Sequence, residues 1–200
     1  MRLYAITDRS RGQKPLLSLV EGWSNGGVHF IQLREKDLDP EALHALTQQT
    51  LAVIDRRRSK LLVNVSGMRS AASVLEAGAD GVHLTGKPIP GFANSVRACR
   101  RDAIVSLPCH TLEDIEVATD EKVDLVLFSP VFEKVFGEAF PAQGLDGLRQ
   151  ACTAARGIPV FALGGVTARN ASDCVAAGAD GVAAIRLFAG EEWRRLAERN

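Results

Sequence analysis

Ala77-Gly78-Ala79-Asp80-Gly81-Val82 returns unchanged as Ala177-Gly178-Ala179-Asp180-Gly181-Val182. Two looser copies, Gly26-Gly27-Val28-His29-Phe30 and Lys122-Val123-Asp124-Leu125-Val126-Leu127, fall before and between them. The copies recur about every 50 residues, a period that marks a chain built from repeated supersecondary units. Each copy follows a helix-like stretch and leads into a short apolar run. Further short apolar runs lie between them at Leu3–Thr7, Leu61–Asn64, Ala103–Leu107 and Pro159–Leu163. The sequence therefore predicts eight short strands.

Helical patterns separate these strands. Pro40-Glu41-Ala42 opens one helix, because proline is tolerated in the first turn. Leu43, Leu46, Thr50, Val53 and Ile54 then follow a 3.6-residue period. Thr111-Leu112-Glu113-Asp114 has the form of an N-cap followed by acidic residues. Thr167 is expected to open another helix, with Gly178 as its stop. Strands such as Val160–Leu163 are apolar on both faces, which calls for parallel strands covered by helices. Eight units in 200 residues allow roughly 25 residues each, close to the minimum for a (β/α)8 barrel. The half-chain repeat favours closure, so the expectation is an α/β fold, a single compact (β/α)8 TIM barrel over residues 1–200. A doubly wound open sheet is the alternative. No GxGxxG follows the first strand and no GxxxxGK[ST] occurs, which removes the common nucleotide loops.

Composition narrows the function classes. With 46% apolar and 24% charged residues, the chain has the make-up of an ordinary globular protein. Its 24 basic and 24 acidic residues balance without clustering, which argues against nucleic acid or an anionic membrane as partner. The densest basic stretch, Arg56-Arg57-Arg58 with Lys60, is read as the solvated end of a helix. Cys99, Cys109, Cys152 and Cys174 show no CxxC and no metal-ligand spacing, as expected of a reduced, cytoplasmic protein. The opening MRLYAITDRS lacks the apolar core of a signal peptide, and no 18-residue apolar run is present. Trp23 and Trp193 read as packing residues. Homo-oligomerisation is left open.

In a barrel the chemistry belongs at the C-terminal strand ends. Those positions are Thr7-Asp8-Arg9, Gln32-Leu33-Arg34-Glu35-Lys36, Asn64, His83, Pro108-Cys109-His110, Ser129-Pro130, Gly164-Gly165 and Ile185-Arg186. Each alone has a structural explanation, Asp8-Arg9 as a surface pair and His83 as a core histidine, but together they gather polar groups on one face. Gly164-Gly165 after the seventh strand is the most telling. Adjacent glycines let backbone N–H groups approach an anion, and a helix beginning at Thr167 would add its dipole. A phosphorylated small molecule is the expected ligand.

At this point the motifs resemble a known family. Tyr4-Ala5-Ile6-Thr7-Asp8-Arg9, Gln32-Leu33-Arg34-Glu35-Lys36-Asp37, Gly81-Val82-His83-Leu84, Phe128-Ser129-Pro130-Val131-Phe132 and Ala162-Leu163-Gly164-Gly165-Val166 look like the thiamine phosphate synthase/TenI family, in order and across nearly the whole chain. The resemblance implies that Gln32, Arg34, Lys36 and Asn64, with His83 and Ser129, bind a pyrimidine pyrophosphate or other substrate. It also implies that Gly164, Gly165, Ile185 and Arg186 hold a thiazole phosphate, with Arg186 replacing the family's usual serine and adding a bidentate contact.

Departures from the synthase pattern are specific. Val65 stands where the family's first Mg2+-binding aspartate would follow Asn64, and Pro88 falls near the second. Pro108 replaces a serine, and Glu133–Phe140 replaces a Thr-rich loop ending in lysine. The narrower expectation, implied by the resemblance to the TenI branch, is a thiazole tautomerase that aromatises a carboxylated thiazole phosphate by proton transfer, with His110 as proton shuttle. Such an enzyme needs no metal or other cofactor. The alternative is a divergent thiamine phosphate synthase, with Mg2+ as cofactor or with Lys87 or Lys134 supplying the missing charge. A third reading is a non-catalytic barrel that binds a phosphorylated ligand and regulates a partner. Phe136 and Phe140 are expected to cap the mouth.

Overall fold

The computed structural model describes residues 1–11, 14–87, 89–133 and 141–198. Lys134, Phe136, Phe140 and Pro88 lie outside them. Eight parallel strands close into a barrel in sequence order. They are β1 (Arg2–Ile6), β2 (Phe30–Leu33), β3 (Lys60–Val65), β4 (Gly81–Leu84), β5 (Ile104–Cys109), β6 (Leu125–Phe128), β7 (Val160–Leu163) and β8 (Gly181–Ala184). The outer layer holds α1 (Leu16–Asn25), α2 (Pro40–Val53), α3 (Met68–Glu76), α4 (Phe92–Cys99), α5 (Leu112–Asp120), α6 (Gly144–Ala154), α7 (Ala171–Ala176), α8 (Arg186–Ala189) and α9 (Arg194–Ala197). The expected barrel is the observed one.

The repeated hexapeptide has a physical reason at each position. Gly78 and Gly178 take the left-handed conformation that ends α3 and α7. The next N–H then reaches back to the helix, from Ala79 to Val74 and from Ala179 to Cys174. The same reach-back occurs from Val28 to Trp23 and from Val123 to Ala118, where Gly27 and Lys122 hold the positive φ. The aspartate that follows is a clamp between strands. Asp80 accepts the N–H of Leu61 at 2.9 Å, Asp124 that of Val105 at 2.7 Å and Asp180 that of Val160 at 3.0 Å. In the first copy His29 Nδ1 takes the N–H of Leu3 at 3.2 Å. Every even strand thus begins with a side chain that ties down the first residues of the odd strand before it. The repeat is a two-strand unit used four times.

Arg56, expected at a helix end, instead lies in a turn beyond α2 and pairs with Asp80 at 2.9 Å, while Arg57 pairs with Asp55. Asp80's carboxylate is nearly buried and holds both Arg56 and Leu61 N–H. Asp80→Ala is expected to cost about 1.5–3 kcal/mol, the range for hydrogen bonds to a charged group. Asp180→Ala should cost less, since its side chain is 42% exposed. Urea denaturation of the two variants checks the order.

Two apolar layers result from the alternation of strand side chains. Tyr4, Ile6, Leu125, Leu127, Phe161 and Ala183 fill the barrel's interior. Tyr4, Phe30 and Phe161 contact one another there with centroids 5.5–5.7 Å apart. The larger cluster, including Leu33, Val65, Val82 and Val182, packs between strands and helices. Trp23 and Trp193 belong to it, as expected, and both rings lie against Phe188.

Candidate functional site

The mouth is built by the loops that follow the strands. After β1 and β2, Thr7 Oγ donates to the Glu35 carboxylate at 2.6 Å, and Arg34 N–H donates to Thr7 Oγ at 2.9 Å. The Glu35 carboxylate also accepts Arg9 N–H at 3.2 Å. Glu35 is buried and ties the two loops together. Sequence reasoning quoted it without assigning it a role; an acid flanked by Arg34 and Lys36 was the available signal. Lys36 itself is exposed.

Below these loops lies a polar strip on the barrel's inner wall. Asn64 pairs in register with His83, and His83 with Ser106. Asn64 Oδ1 accepts the Thr85 hydroxyl at 2.7 Å, a partner the sequence did not reveal. His83 Nδ1 lies 2.8 Å from Ser106 Oγ. Gln32 is buried and its Oε1 accepts the Tyr4 hydroxyl at 3.1 Å, leaving the amide N–H groups as its donors. His83 is 5% exposed, and burial, followed by the neighbouring Arg34 charge, lowers its pKa to about 3. The Arg34 charge thus reaches His83, which is held neutral on the barrel wall beside Asn64 and Ser106.

This gives a pH prediction whose sign is fixed. Above the ordinary histidine pKa of about 6.5, His83 is neutral folded or unfolded and costs nothing. Below it the unfolded chain takes the proton first, so stability falls until the folded pKa is reached. The slope contributed by one proton is at most about 1.4 kcal/mol per pH unit. Thermal melts between pH 7 and pH 4 should show this loss, and His83→Gln should flatten it.

His110 follows β5, and its N–H is held by the Asp114 carboxylate at 2.7 Å. Thr111 is the expected N-cap of α5, and Asp114 completes a capping box with it. His110 Nδ1 lies 2.6 Å from the Ser129 carbonyl. A carbonyl only accepts, so Nδ1 carries the proton and Nε2 is the basic nitrogen. Ser129 is buried, and its hydroxyl lies 3.4 Å from the same nitrogen.

On the far side of the mouth, Gly164 and Gly165 both have positive φ, +95° and +66°. Among the described residues, the backbone N–H groups of Gly164, Gly165 and Val166 donate to no protein acceptor. Three consecutive amide donors in such a turn form an anion-binding nest. Thr167 N–H donates to Asn170 Oδ1 at 2.7 Å and Asn170 N–H to Thr167 Oγ at 3.4 Å, the reciprocal pair of a capping box, and Ala171 N–H reaches the Thr167 carbonyl at 3.2 Å. The expected start at Thr167 is thus present as a cap, with α7 itself running Ala171–Ala176. Ile185 stands at the end of the adjacent β8, partly buried against the inner cluster. Arg186 lines a chamber on the β1 side of β8 with Ile6, Asp8, Leu19 and Trp23.

Among the described residues, the side chain at the first Mg2+ position of the synthase pattern, Val65, offers no oxygen ligand. Mg2+ takes oxygen ligands in a tight octahedron. Val65 is 2% exposed within the outer core, and the Asn64 oxygen is already engaged by Thr85. Among the described residues no three His, Cys, Asp or Glu side chains converge. Lys87 is exposed on the loop after β4.

A closed parallel barrel with open backbone amides after β7 and the cations Arg34 and Lys36 after β2 is of the TIM-barrel class, with its polar groups gathered at the C-terminal strand ends. The sequence model of the thiamine monophosphate synthase family matches residues 3–188, and the chain belongs to that family. It is 38% identical over 189 residues to a Geobacter sulfurreducens protein named "Putative thiamine-phosphate synthase", covering 92% of this chain and 84% of that one. It is 33% identical to the thiamine-phosphate synthase of Albidiferax ferrireducens, covering 92% and 83%. Among solved structures, the thiamine phosphate pyrophosphorylase from Pyrococcus furiosus superposes with a TM-score of 0.81 at 26% identity, covering 98% and 92%. The chain is thus an enzyme of the thiamine phosphate synthase/TenI family. Among the described residues no helix is long and apolar enough to cross a membrane.

Proposed function

We propose that the chain is a thiamine phosphate synthase, joining hydroxymethylpyrimidine pyrophosphate to hydroxyethylthiazole phosphate. The names of its relatives favour this alternative over the tautomerase expected from the metal-ligand departures. The observation that carries it is a pair of anion-receptive groups on different sides of one mouth. The nest at Gly164–Val166 follows β7, while Arg34 and Lys36 follow β2, three strands away around the barrel. Two phosphorylated substrates need two phosphate-holding places; the tautomerase's single carboxylated thiazole phosphate would bring only a carboxylate to the second.

In the reaction the pyrimidine's methylene carbon loses pyrophosphate with the bonding electron pair, and the thiazole nitrogen forms the new C–N bond. Arg34 and Lys36 offset the charge that accumulates on the departing pyrophosphate. The nest holds the thiazole phosphate, so the ring nitrogen is presented to the carbon rather than found by collision. Gln32 and Asn64 supply amides for the pyrimidine's ring nitrogens. No step is assigned to Mg2+.

One observation favours the tautomerase as second reading: the hydrogen bond from His110 Nδ1 to Ser129 fixes Nε2 as a base suited to moving a proton on one ring. Calorimetry separates the two. The synthase reading expects hydroxyethylthiazole phosphate and inorganic pyrophosphate to bind together. Arg34→Gln should weaken pyrophosphate by roughly tenfold and leave the thiazole phosphate unchanged. Competition between the two ligands for one site would overturn it and favour the tautomerase.

A further inference from the structure

Two side-chain amides stand on the inner wall of the mouth, and a hydroxyl caps the oxygen of each. Thr85 Oγ donates to Asn64 Oδ1 at 2.7 Å, and Tyr4 Oη donates to Gln32 Oε1 at 3.1 Å. The caps are themselves fixed. Thr85 N–H donates to the Val65 carbonyl at 2.8 Å, and the buried Tyr4 phenol also meets the Ser106 hydroxyl. With its oxygen taken, each amide has N–H groups left to offer. Among the described residues, Asn64 Nδ2 and Gln32 Nε2 donate to no protein acceptor, although Gln32 is only 1% exposed.

The acids of the loops after β1 and β2 are engaged in the same way. Glu35 holds the Thr7 hydroxyl at 2.6 Å and Arg9 N–H at 3.2 Å. Asp37 pairs with the Arg9 guanidinium at 2.5 Å, and Asp8 accepts the Ser10 hydroxyl at 2.5 Å. The cations are not spent. Among the described residues, the Arg34 guanidinium and the Lys36 ammonium have no hydrogen-bonding or ion-pair partner. Leu33 pairs in register with Val63, so Arg34 and Asn64 come next on neighbouring strands. This corner therefore offers donors and cations and keeps its oxygens to itself. An N–H donor suits a phosphate oxygen, whereas Mg2+ takes oxygen ligands and is repelled by the same N–H. Val65, directly after Asn64, brings no oxygen in its side chain.

We propose that the mouth takes the pyrophosphate group as the metal-free anion rather than as its Mg2+ complex, and that Thr85 is the positioning residue that makes this so by holding Asn64 as a donor. The inference rests on the synthase reading and adds the form of the substrate that the site selects. Asn64 carries two amide N–H groups, one for a pyrimidine ring nitrogen and one for a pyrophosphate oxygen. When the bond from the methylene carbon to the pyrophosphate oxygen breaks, its electron pair leaves with that oxygen. Arg34, Lys36 and the Asn64 N–H then face the charge that collects there. Thr85 itself is exposed, so its hydroxyl can be removed without disturbing the core.

The test titrates inorganic pyrophosphate into the whole chain by calorimetry, once in EDTA and once in excess Mg2+. The expected result is tighter binding in EDTA, by roughly tenfold, the scale of one charge-assisted contact. Thr85→Val removes the hydroxyl and keeps the shape of the side chain. It should weaken binding in EDTA by roughly tenfold and narrow or reverse the difference between the two conditions, because Asn64 Oδ1 is then free to turn toward a cation. Thr85→Ser should restore the original pattern, and hydroxyethylthiazole phosphate should bind all three proteins alike. A merely structural role for Thr85 would lower both affinities together, which would overturn its assignment; so would a Thr85→Val protein that binds as before. Pyrophosphate affinity equal or higher with Mg2+ in the unaltered protein would overturn the metal-free site and leave the synthase reading standing. No binding in either condition would overturn the synthase reading and this inference with it.

Discussion

Replacing Gly181 with alanine is expected to destabilise the protein by at least about 3 kcal/mol, at the upper end of overpacking costs. A Cβ at this position would stand 2.1 Å from the Arg2 carbonyl oxygen and 2.8 Å from Phe161 Cε1. The first obstacle is backbone of the neighbouring strand and cannot rotate away. The second is a ring locked among Tyr4 and Phe30. Relief requires β8 to move off β1, and β1 is where the barrel closes on itself. For a chain of this length the melting temperature should drop by roughly 6–12 °C. Gly81→Ala should behave alike, since its Cβ would meet the Ile104 oxygen at 2.1 Å. Gly67→Ala, with open space around it, serves as the control. A loss below about 1 kcal/mol at Gly181 would mean that the strands separate more easily than this packing implies.

The second large effect falls on binding. Gly165→Val should reduce affinity for hydroxyethylthiazole phosphate at least a hundredfold, roughly 2.7 kcal/mol. Gly165 has φ +66°, and its Cβ would lie 2.6 Å from Phe132 Cβ and 3.0 Å from the Glu133 carbonyl oxygen. A β-branched residue cannot hold that conformation without strain. The turn must rotate, and the amides of Gly164, Gly165 and Val166 cease to converge. Hydrogen bonds to a charged group contribute about 1.5–3 kcal/mol each, so losing the set outweighs any single side chain at the mouth. Calorimetric titration reads the loss. Unchanged affinity in a folded variant would remove the nest from the site.

The barrel was legible because its repeat is physical. The left-handed glycine, the clamping aspartate and the close-packed glycine of Ala77–Val82 each do one job, and the same jobs recur at Ala177–Val182. Fainter copies were legible for the same reason, although the clamp at His29 is an imidazole and the turn at Lys122 is not a glycine. The start at Thr167 was legible for an equally local cause. Thr167 and Asn170 satisfy each other's backbone groups, and Ala171 N–H bonds the Thr167 carbonyl, so the turn leads into α7.

The site was legible in its positions and less so in its contacts. Gly164-Gly165 announced a nest, but only the fold shows that Val166 contributes a third amide. The resemblance implies a phosphate role for Arg186; the fold adds Ile6, Asp8 and Trp23 as its neighbours, which spacing does not encode. His83 lies in register with Asn64 and Ser106. Its burial follows from its place within β4, whose four residues are all buried and so show no alternation to read. Thr85 and Glu35 matter through partners more than 20 residues away.

The most direct measurement mixes the purified protein with hydroxymethylpyrimidine pyrophosphate and hydroxyethylthiazole phosphate, with and without Mg2+, and follows thiamine phosphate. Formation of thiamine phosphate with matching release of pyrophosphate, lost in Gly165→Val, is the predicted result. No thiamine phosphate under either condition, while both substrates bind, would contradict the synthase assignment.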